Sequence, residues 1–378
     1  RQDLDVQDYQ ARAMLSGDWR VRPGVNDPKI PTTPYYRPPG YTYFLAAIYA
    51  ITGGSYLAPR IVHFLLGLAT ALLLFHFARK YFGAAVGLLT AAGFATFWCP
   101  IYYEGEVNDP ALFDFLIPAI LIGLMRWYDK RTLLRAASVG VLTGLYALMR
   151  PNILLFGPVT AAWMLYVCWR GKMLLHFVPA WTGLLFATLL TIAPVTLRNY
   201  IVSGEFVPIS TYFGENLQIG NNPDADGYTP WNPYLQELEG TGNFSVWDYD
   251  NIVRGLGRAV GNEHLTHSEA SKIFAQQAIA YIKAHPWAVL RLTARKALYF
   301  WAPEEITGNK VVQYEKDFYP PLNHLPGFWL LFGLFLAGLA IMLTDWTREK
   351  VRTGDTADIA ATEHAVFLML AYIFIYFI

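Results

Sequence analysis

Charge is scarce in this sequence. Only 15% of its 378 residues are Asp, Glu, Lys or Arg, against 54% hydrophobic. A soluble domain carries roughly 25% charged residues. So little polar surface cannot cover a water-borne globule of this length, and the positive mean hydropathy of +0.27 agrees with a lipid solvent. An excess of either charge is absent too: 29 basic residues face 29 acidic ones. Composition therefore gives no support to a nucleic-acid partner. Cysteine is limited to Cys99 and Cys168, both inside apolar runs. They fall at opposite ends of their predicted spans, which argues against a disulfide, and both read as small buried hydrophobes.

Several motifs are missing. There is no glycine-rich nucleotide loop and no G-x-S-x-G elbow, so ATP, nucleotide-sugar and serine-hydrolase chemistry find no foothold. His264 and His267 lie three apart without an evident third ligand, so no zinc site is expected. There is no internal repeat, low-complexity tract or coiled coil. No signal peptide opens the chain, because Arg1 to Asp8 is polar and acidic. The chain starts without Met and ends inside an apolar run, Ile375 to Ile378, so it reads as a fragment lacking a first span.

What is present is a series of apolar runs approaching the roughly 20 residues a bilayer span needs. They are Ile61–Phe77, Ala84–Pro100, Ala111–Leu124, Ala136–Leu148, Ile153–Trp169, Phe177–Leu197, Phe328–Leu343 and Ala365–Ile378. The fold class expected is an all-α polytopic membrane bundle with a mixed, partly helical non-cytoplasmic domain. Gly40 to Ile51 is too short to cross and reads as a helix lying in the interface. Alternate span ends carry Arg79-Lys80, Arg126 to Arg135, Arg170-Lys172 and Arg348 to Arg352; the opposite ends carry little beyond Arg60, Arg150 and Arg198. The positive-inside rule makes the first set cytoplasmic. The expected organisation is then a first outer loop over residues 1–59, a transmembrane bundle over 60–199, a non-cytoplasmic domain over 200–325 and C-terminal helices over 326–378. Within the outer domain, Thr266 and Glu269 form a capping-box pattern at the head of a helix ending near Pro286.

Four clusters could carry chemistry. The first is Asp3, Asp5, Asp8 and Tyr9, then Gly17-Asp18-Trp19. A carboxylate there is either a solvated surface group or a general base toward a hydroxyl. The second is Tyr35-Tyr36-Arg37-Pro38-Pro39, where two prolines hold Arg37 at the start of a helix. Arg37 is either a snorkelling arginine or a phosphate clamp. The third is Tyr102, Tyr103, Glu104, Glu106, Asn108 and Asp109 before Pro110. Asp109 fits an N-cap ahead of an N1 proline. Glu104 and Glu106 are costly at membrane depth unless paired or wetted, so they suggest a polar cavity, with Asp114 facing it. The fourth is Arg150-Pro151-Asn152 and Arg198-Asn199 at outer span ends, either helix-terminal cations or phosphate ligands. A turn-rich loop, Asn216 to Gly227 with Asn221 in it, is expected nearest the cavity.

Five blocks carry a resemblance: DVQDYQARAMLSGD from Asp5, YRPPGYTY from Tyr36, EGEVNDPALFDFL from Glu104, LMRPN from Leu148, and PVTLRNYIVSGEFVPISTYFGENLQIGNN from Pro194. In order and spacing the chain resembles the GT-C type membrane glycosyltransferases, in the broad family of protein O-mannosyltransferases and lipid A aminoarabinose transferases. The resemblance implies a polyprenyl-phosphate-linked sugar donor in the outer leaflet and a hydroxyl acceptor; displacement of the phosphate from the opposite face is then expected to invert the anomeric centre. It implies a bacterial inner-membrane location with the site on the external face. It makes Asp5, four before Tyr9, the base, with Asp8 the rival; it puts Arg37 at the donor phosphate and Glu104 or Glu106 at the family's acidic position. Arg150 and Arg198 are expected to share the phosphate. Tyr9, Tyr36, Tyr103, Asn108 and Asn221 are expected to line the substrates. No cofactor is assigned, and a divalent metal stays open. The other readings are a transporter or flippase, which predicts inverted repeats and broken half-helices, and a non-catalytic assembly subunit, in which the outward carboxylates tolerate alanine.

Overall fold

A computed structural model of the chain describes residues 2–19, 31–229, 232–240, 249–302, 318–352 and 356–377. Among these the regular structure is entirely helical. The helices are α1 Gln2–Ser16, α2 Gly40–Thr52, α3 Leu57–Phe82, α4 Ala84–Thr96, α5 Trp98–Glu104, α6 Pro110–Asp129, α7 Leu133–Ala147 and α8 Phe156–Arg170. They continue as α9 Phe177–Ser203, α10 Phe213–Gly220, α11 Pro233–Glu239, α12 Tyr249–Val260, α13 His267–Ala284, α14 Pro286–Phe300, α15 Phe328–Arg352 and α16 Thr356–Phe377. Among the described residues, five helical stretches are long and apolar enough to cross a bilayer: Leu57–Phe82, Pro110–Asp129, Pro151–Arg170, Leu174–Ser203 and Pro320–Ile341. Leu133–Ala147 and Ala360–Ile375 are apolar but shorter. The protein is a multi-pass integral membrane protein of all-α class.

One expected span is broken. The run Ala84–Pro100 does not form a single helix; α4 and α5 bend by 53°. Pro100 supplies a reason, because in a continuous helix its ring would clash with the Thr96 carbonyl and its missing N–H would leave that carbonyl unpaired. Phe97 leaves the helical region at φ −69°, ψ 122°, so Pro100 sits harmlessly in the first turn of α5. The expected loop Tyr102 to Asp109 is shorter than the sequence suggests, since α5 continues through Glu104.

The described chain divides into two compact units. The first holds α1, α2, the end of α9 from Ile192, and α10 to α14. Its core joins Val6, Tyr36, Leu235, Leu238, Tyr249, Ile252, Val253, Leu256, Ala270 and Phe274. On α12, Ile252, Val253 and Leu256 share the buried face, while Arg254 pairs with Asp250 at 3.4 Å. On α13 the buried residues Ala270, Phe274 and Ala278 recur every four positions, the stripe a helix needs for one-sided packing. Its capping box is complete: Thr266 Oγ1 accepts from the Glu269 amide, and Glu269 accepts from the Thr266 amide. Hydrogen bonds from the Thr266 backbone and side chain to the Glu269 carboxyl hold it below its usual range. Helices α10 and α13 approach so closely that a Cβ at Gly214 would overlap the Ser271 carbonyl.

The second unit holds α3 to α8, α9 up to Thr191, α15 and α16. Its interior is aromatic. Trp127 and Trp163 lie 5.7 Å apart, and Tyr146 and Tyr372 share a hydroxyl hydrogen bond of 2.9 Å. Thr188 Oγ1 donates to the Gly140 carbonyl at 3.0 Å, joining α9 to α7. Such pairs satisfy hydroxyls that an apolar solvent would leave costly.

Candidate functional site

In the first unit the segment carrying Arg37 is fixed from behind. Asn199, fully buried on α9, accepts from the Tyr35 amide at 3.1 Å and donates to the Val207 and Ile209 carbonyls at 3.1 and 3.0 Å. The Thr211 amide donates to the Tyr35 carbonyl at 3.0 Å. Arg198 lies inside α9 rather than beyond a span end; it donates to the Thr33 carbonyl at 2.8 Å and stacks on the Tyr35 ring at 4.1 Å. Pro39 then occupies the N-cap of α2. Arg37 follows the buried Tyr36, its guanidinium 5.3 Å from the centroid of the Tyr212 ring. Tyr36 itself faces inward, its hydroxyl donating to Glu215 at 2.7 Å.

On α1 the Asp5 side chain lies outside the described residues. Asp8 is buried, and its carboxylate accepts from Arg12 Nε at 3.0 Å and from the Tyr49 hydroxyl at 2.8 Å. Arg12 also donates to the Gly54 carbonyl at 3.0 Å. Asp8 therefore ties α1 to α2. The Tyr9 hydroxyl donates to the Trp19 carbonyl. Asn221 donates to the Leu217 carbonyl at 3.0 Å, closing the end of α10. Nearby, Lys296 donates to the Gly220 carbonyl at 2.7 Å, and burial pushes its ammonium pKa down.

In the second unit Glu104 ends α5 half-buried, with Asp114 of α6 as its electrostatic neighbour. Gly67 of α3 makes the room: a Cβ there would overlap the Glu104 carboxylate. One turn earlier on α3, buried His63 places Nδ1 3.1 Å from the Glu106 carbonyl. Asn108 accepts from the Asp109 amide at 2.9 Å. Asp109 occupies the N-cap position of α6, but its side chain accepts no cap bond. It faces Arg150 instead, at 3.7 Å, and Arg150 also lies 5.2 Å over the Phe113 ring. The cap expected from the Asp-Pro pair is thus replaced by an ion pair. Tyr103 packs on the Trp98–Tyr102 pair. Among the described residues no three His, Cys, Asp or Glu side chains stand together as a metal site.

Two clusters emerge, each within its own unit. One sets Tyr35, Tyr36, Arg37 and Arg198 on a frame of Asn199 and Glu215. The other sets His63, Glu104, Glu106, Asn108, Asp109, Asp114 and Arg150 around the α5–α6 connection. Sequence reasoning passed over His63 and Glu215. The His63/Gly67 spacing of four on one helix, a histidine and a gap on the same face, was the available signal for the first. Glu215 stood inside the last of the five blocks without a role.

Residues 36–197 match the family described as dolichyl-phosphate-mannose-protein mannosyltransferase. No curated protein and no solved structure matches the chain significantly. The match supports a GT-C type glycosyltransferase family and, in general terms, a polyprenyl-phosphate-sugar-dependent transferase. It begins at the Tyr36-Arg37-Pro38-Pro39 segment; Asp5, Arg198 and Glu215 lie outside it.

Proposed function

We propose that this GT-C type, mannosyltransferase-like chain moves a sugar from a polyprenyl phosphate to a hydroxyl acceptor on the external face of the membrane. The observation that carries the reading is the family match over residues 36–197, which opens on the buried, hydrogen-bonded segment that presents Arg37. The leaving group is a phosphate, which needs fixed positive charge more than a proton. Arg37 takes that role, with Arg198 as a further phosphate ligand. Asp5 is the base. The acceptor oxygen bonds to the anomeric carbon, the bond from that carbon to the phosphate oxygen breaks, and the acceptor proton passes to the Asp5 carboxylate. Attack from the opposite face inverts the anomeric centre. Within the second unit, Glu104 or Glu106 takes the acidic position that the resemblance implies. Asp8 is assigned to anchoring α1, because its carboxylate already serves Arg12 and Tyr49.

The test is transfer from polyprenyl-phosphate mannose by the purified chain in liposomes, read as polyprenyl phosphate released and mannosylated product formed. Transfer by the parent and its loss in Asp5→Asn, with the product inverted, is the expected result. Lipid movement across the bilayer without bond cleavage would replace this reading by that of a flippase. Retention of the donor's configuration would remove the single-displacement step.

A further inference from the structure

Glu215 is a carboxyl that the reaction does not use and the core does not need. It sits in the first turn of α10 with no exposure to solvent. One carboxylate oxygen accepts from the Tyr36 hydroxyl at 2.7 Å; the other, Oε1, has no hydrogen-bond partner. Tyr249 stacks on the Tyr36 ring with centroids 3.8 Å apart, and Tyr212 meets the same ring edge-on at 5.0 Å. A fully buried carboxylate bonded to one tyrosine hydroxyl is costly unless a cation compensates it. The cation that acts on both Glu215 and Tyr36 is Arg37, the residue that follows Tyr36 in the chain.

The chemistry of the pair is informative. To hold the Tyr36 hydroxyl, an acceptor is enough, and a glutamine amide oxygen would supply it without the cost of a buried charge. What a carboxylate adds is a negative charge that acts on Arg37, whose guanidinium already rests against the Tyr212 ring. We propose that Glu215 is a positioning residue: through Tyr36 and through its charge it holds Arg37 where that guanidinium takes the phosphate of a polyprenyl phosphate. This deepens the proposed function and rests on it for the identity of the ligand.

A positioning charge that titrates leaves a trace in pH. Burial raises the Glu215 carboxyl to about 7, against the opposing pull of the Tyr36 hydrogen bond and of Arg37. The groups acting on it are Tyr36, Arg37 and Tyr249; beyond them Tyr212 meets Tyr36 and Arg37, His267 lies edge-on to Tyr249 at 5.2 Å, and Asp250 is 3.4 Å from His267. Burial keeps Tyr36 and Tyr249 protonated far above neutrality. The charge that holds Arg37 is therefore present above pH 7 and disappears as the pH falls through that value.

The experiment measures binding of undecaprenyl phosphate to the intact purified chain and to Glu215→Gln, from pH 5.5 to 8.5, alongside sugar transfer by the parent. The ratio of the two Kd values cancels the titration of the lipid phosphate itself. At the alkaline end Glu215→Gln is expected to bind about tenfold more weakly than the parent. At the acid end the ratio is expected to fall to about one, because the parent then carries a neutral carboxyl as well. A Tyr36→Phe control removes the hydrogen bond but keeps the titrating carboxyl, so its own Kd is expected to follow pH as the parent's does, and the ratio of Glu215→Gln to Tyr36→Phe is expected to rise with pH. A ratio of one at every pH overturns the proposal, as does one that is constant with pH, which marks a packing role only. If the parent shows the pH-dependent ratio but transfers no sugar, the positioning role stands and the transferase reading fails. If the parent does not bind undecaprenyl phosphate at all, both fall.

Discussion

In the proposed reading, two carboxylates three positions apart on α1 divide structural from chemical work. Asp8 is held by Arg12 and Tyr49, and Arg12 in turn reaches the Gly54 carbonyl. Asp8→Ala should leave the buried Tyr49 hydroxyl and the half-buried Arg12 short of an acceptor and cost about 1–3 kcal/mol, seen as a lower midpoint in detergent unfolding. Asp5→Asn should leave the midpoint unchanged and lower transfer by a factor of about 100 or more. The reverse pattern would exchange their roles. Glu215 adds a stability effect with a definite sign. Its folded-state pKa of about 7 stands above an ordinary 4.5, so the native state binds the proton more tightly. The associated stability is complete below pH 4.5 and is lost as the pH rises through about 7. Glu215→Gln has no such proton to lose, so its midpoint should gain on that of the parent between roughly pH 5 and 8. A parallel decline in both proteins would contradict this. Sequence alone could not separate Asp8 from Asp5, because the partners of Asp8 include Tyr49, 41 residues away.

At the scale of helices, much was legible wherever the determinants are local. The capping box at Thr266 and Glu269 needs only residues three apart, and it forms as read. The helix from Gly40 forms over nearly the expected residues for the same reason. The break at Phe97 was missed because hydropathy averages over Pro100, whose effect is steric rather than polar. Asp109 takes the N-cap position that the Asp-Pro pair indicates, but its carboxylate faces a distant arginine, Arg150, instead of capping. Close packing of helices is likewise invisible in one strand of text. Gly67 shows this: its lack of a side chain admits the Glu104 carboxylate against α3. Gly67→Ala should push that carboxylate aside and destabilise by about 1–3 kcal/mol, checked by thermal unfolding, with a matching loss of transfer. Asn199 is the corresponding keystone in the first unit. Asn199→Ala should strip partners from the Tyr35 amide and the Val207 and Ile209 carbonyls. The expected cost is about 3 kcal/mol, in the range for unmaking buried hydrogen bonds.

For the whole molecule, the multi-pass helical class follows from composition and run length, which depend on the solvent rather than on particular contacts. The division into two units does not, because the first unit is assembled from segments more than a hundred residues apart. Sidedness rests on the distribution of Lys and Arg. It is checked by single cysteines in a cysteine-free background, at exposed Thr229 and exposed Lys172. A membrane-impermeant maleimide should label Thr229→Cys on intact cells and Lys172→Cys only after the membrane is opened. The opposite labelling would invert the topology and move the proposed chemistry to the other face. The central claim is tested most directly by incubating the reconstituted chain with polyprenyl-phosphate mannose and resolving the lipid by mass spectrometry. Time-dependent conversion to free polyprenyl phosphate plus a mannosylated acceptor, abolished in Asp5→Asn and weakened in donor affinity by Arg37→Ala, is the expected result. Full conversion by both variants, or intact donor after incubation with the parent and a hydroxyl-bearing acceptor, would contradict the account.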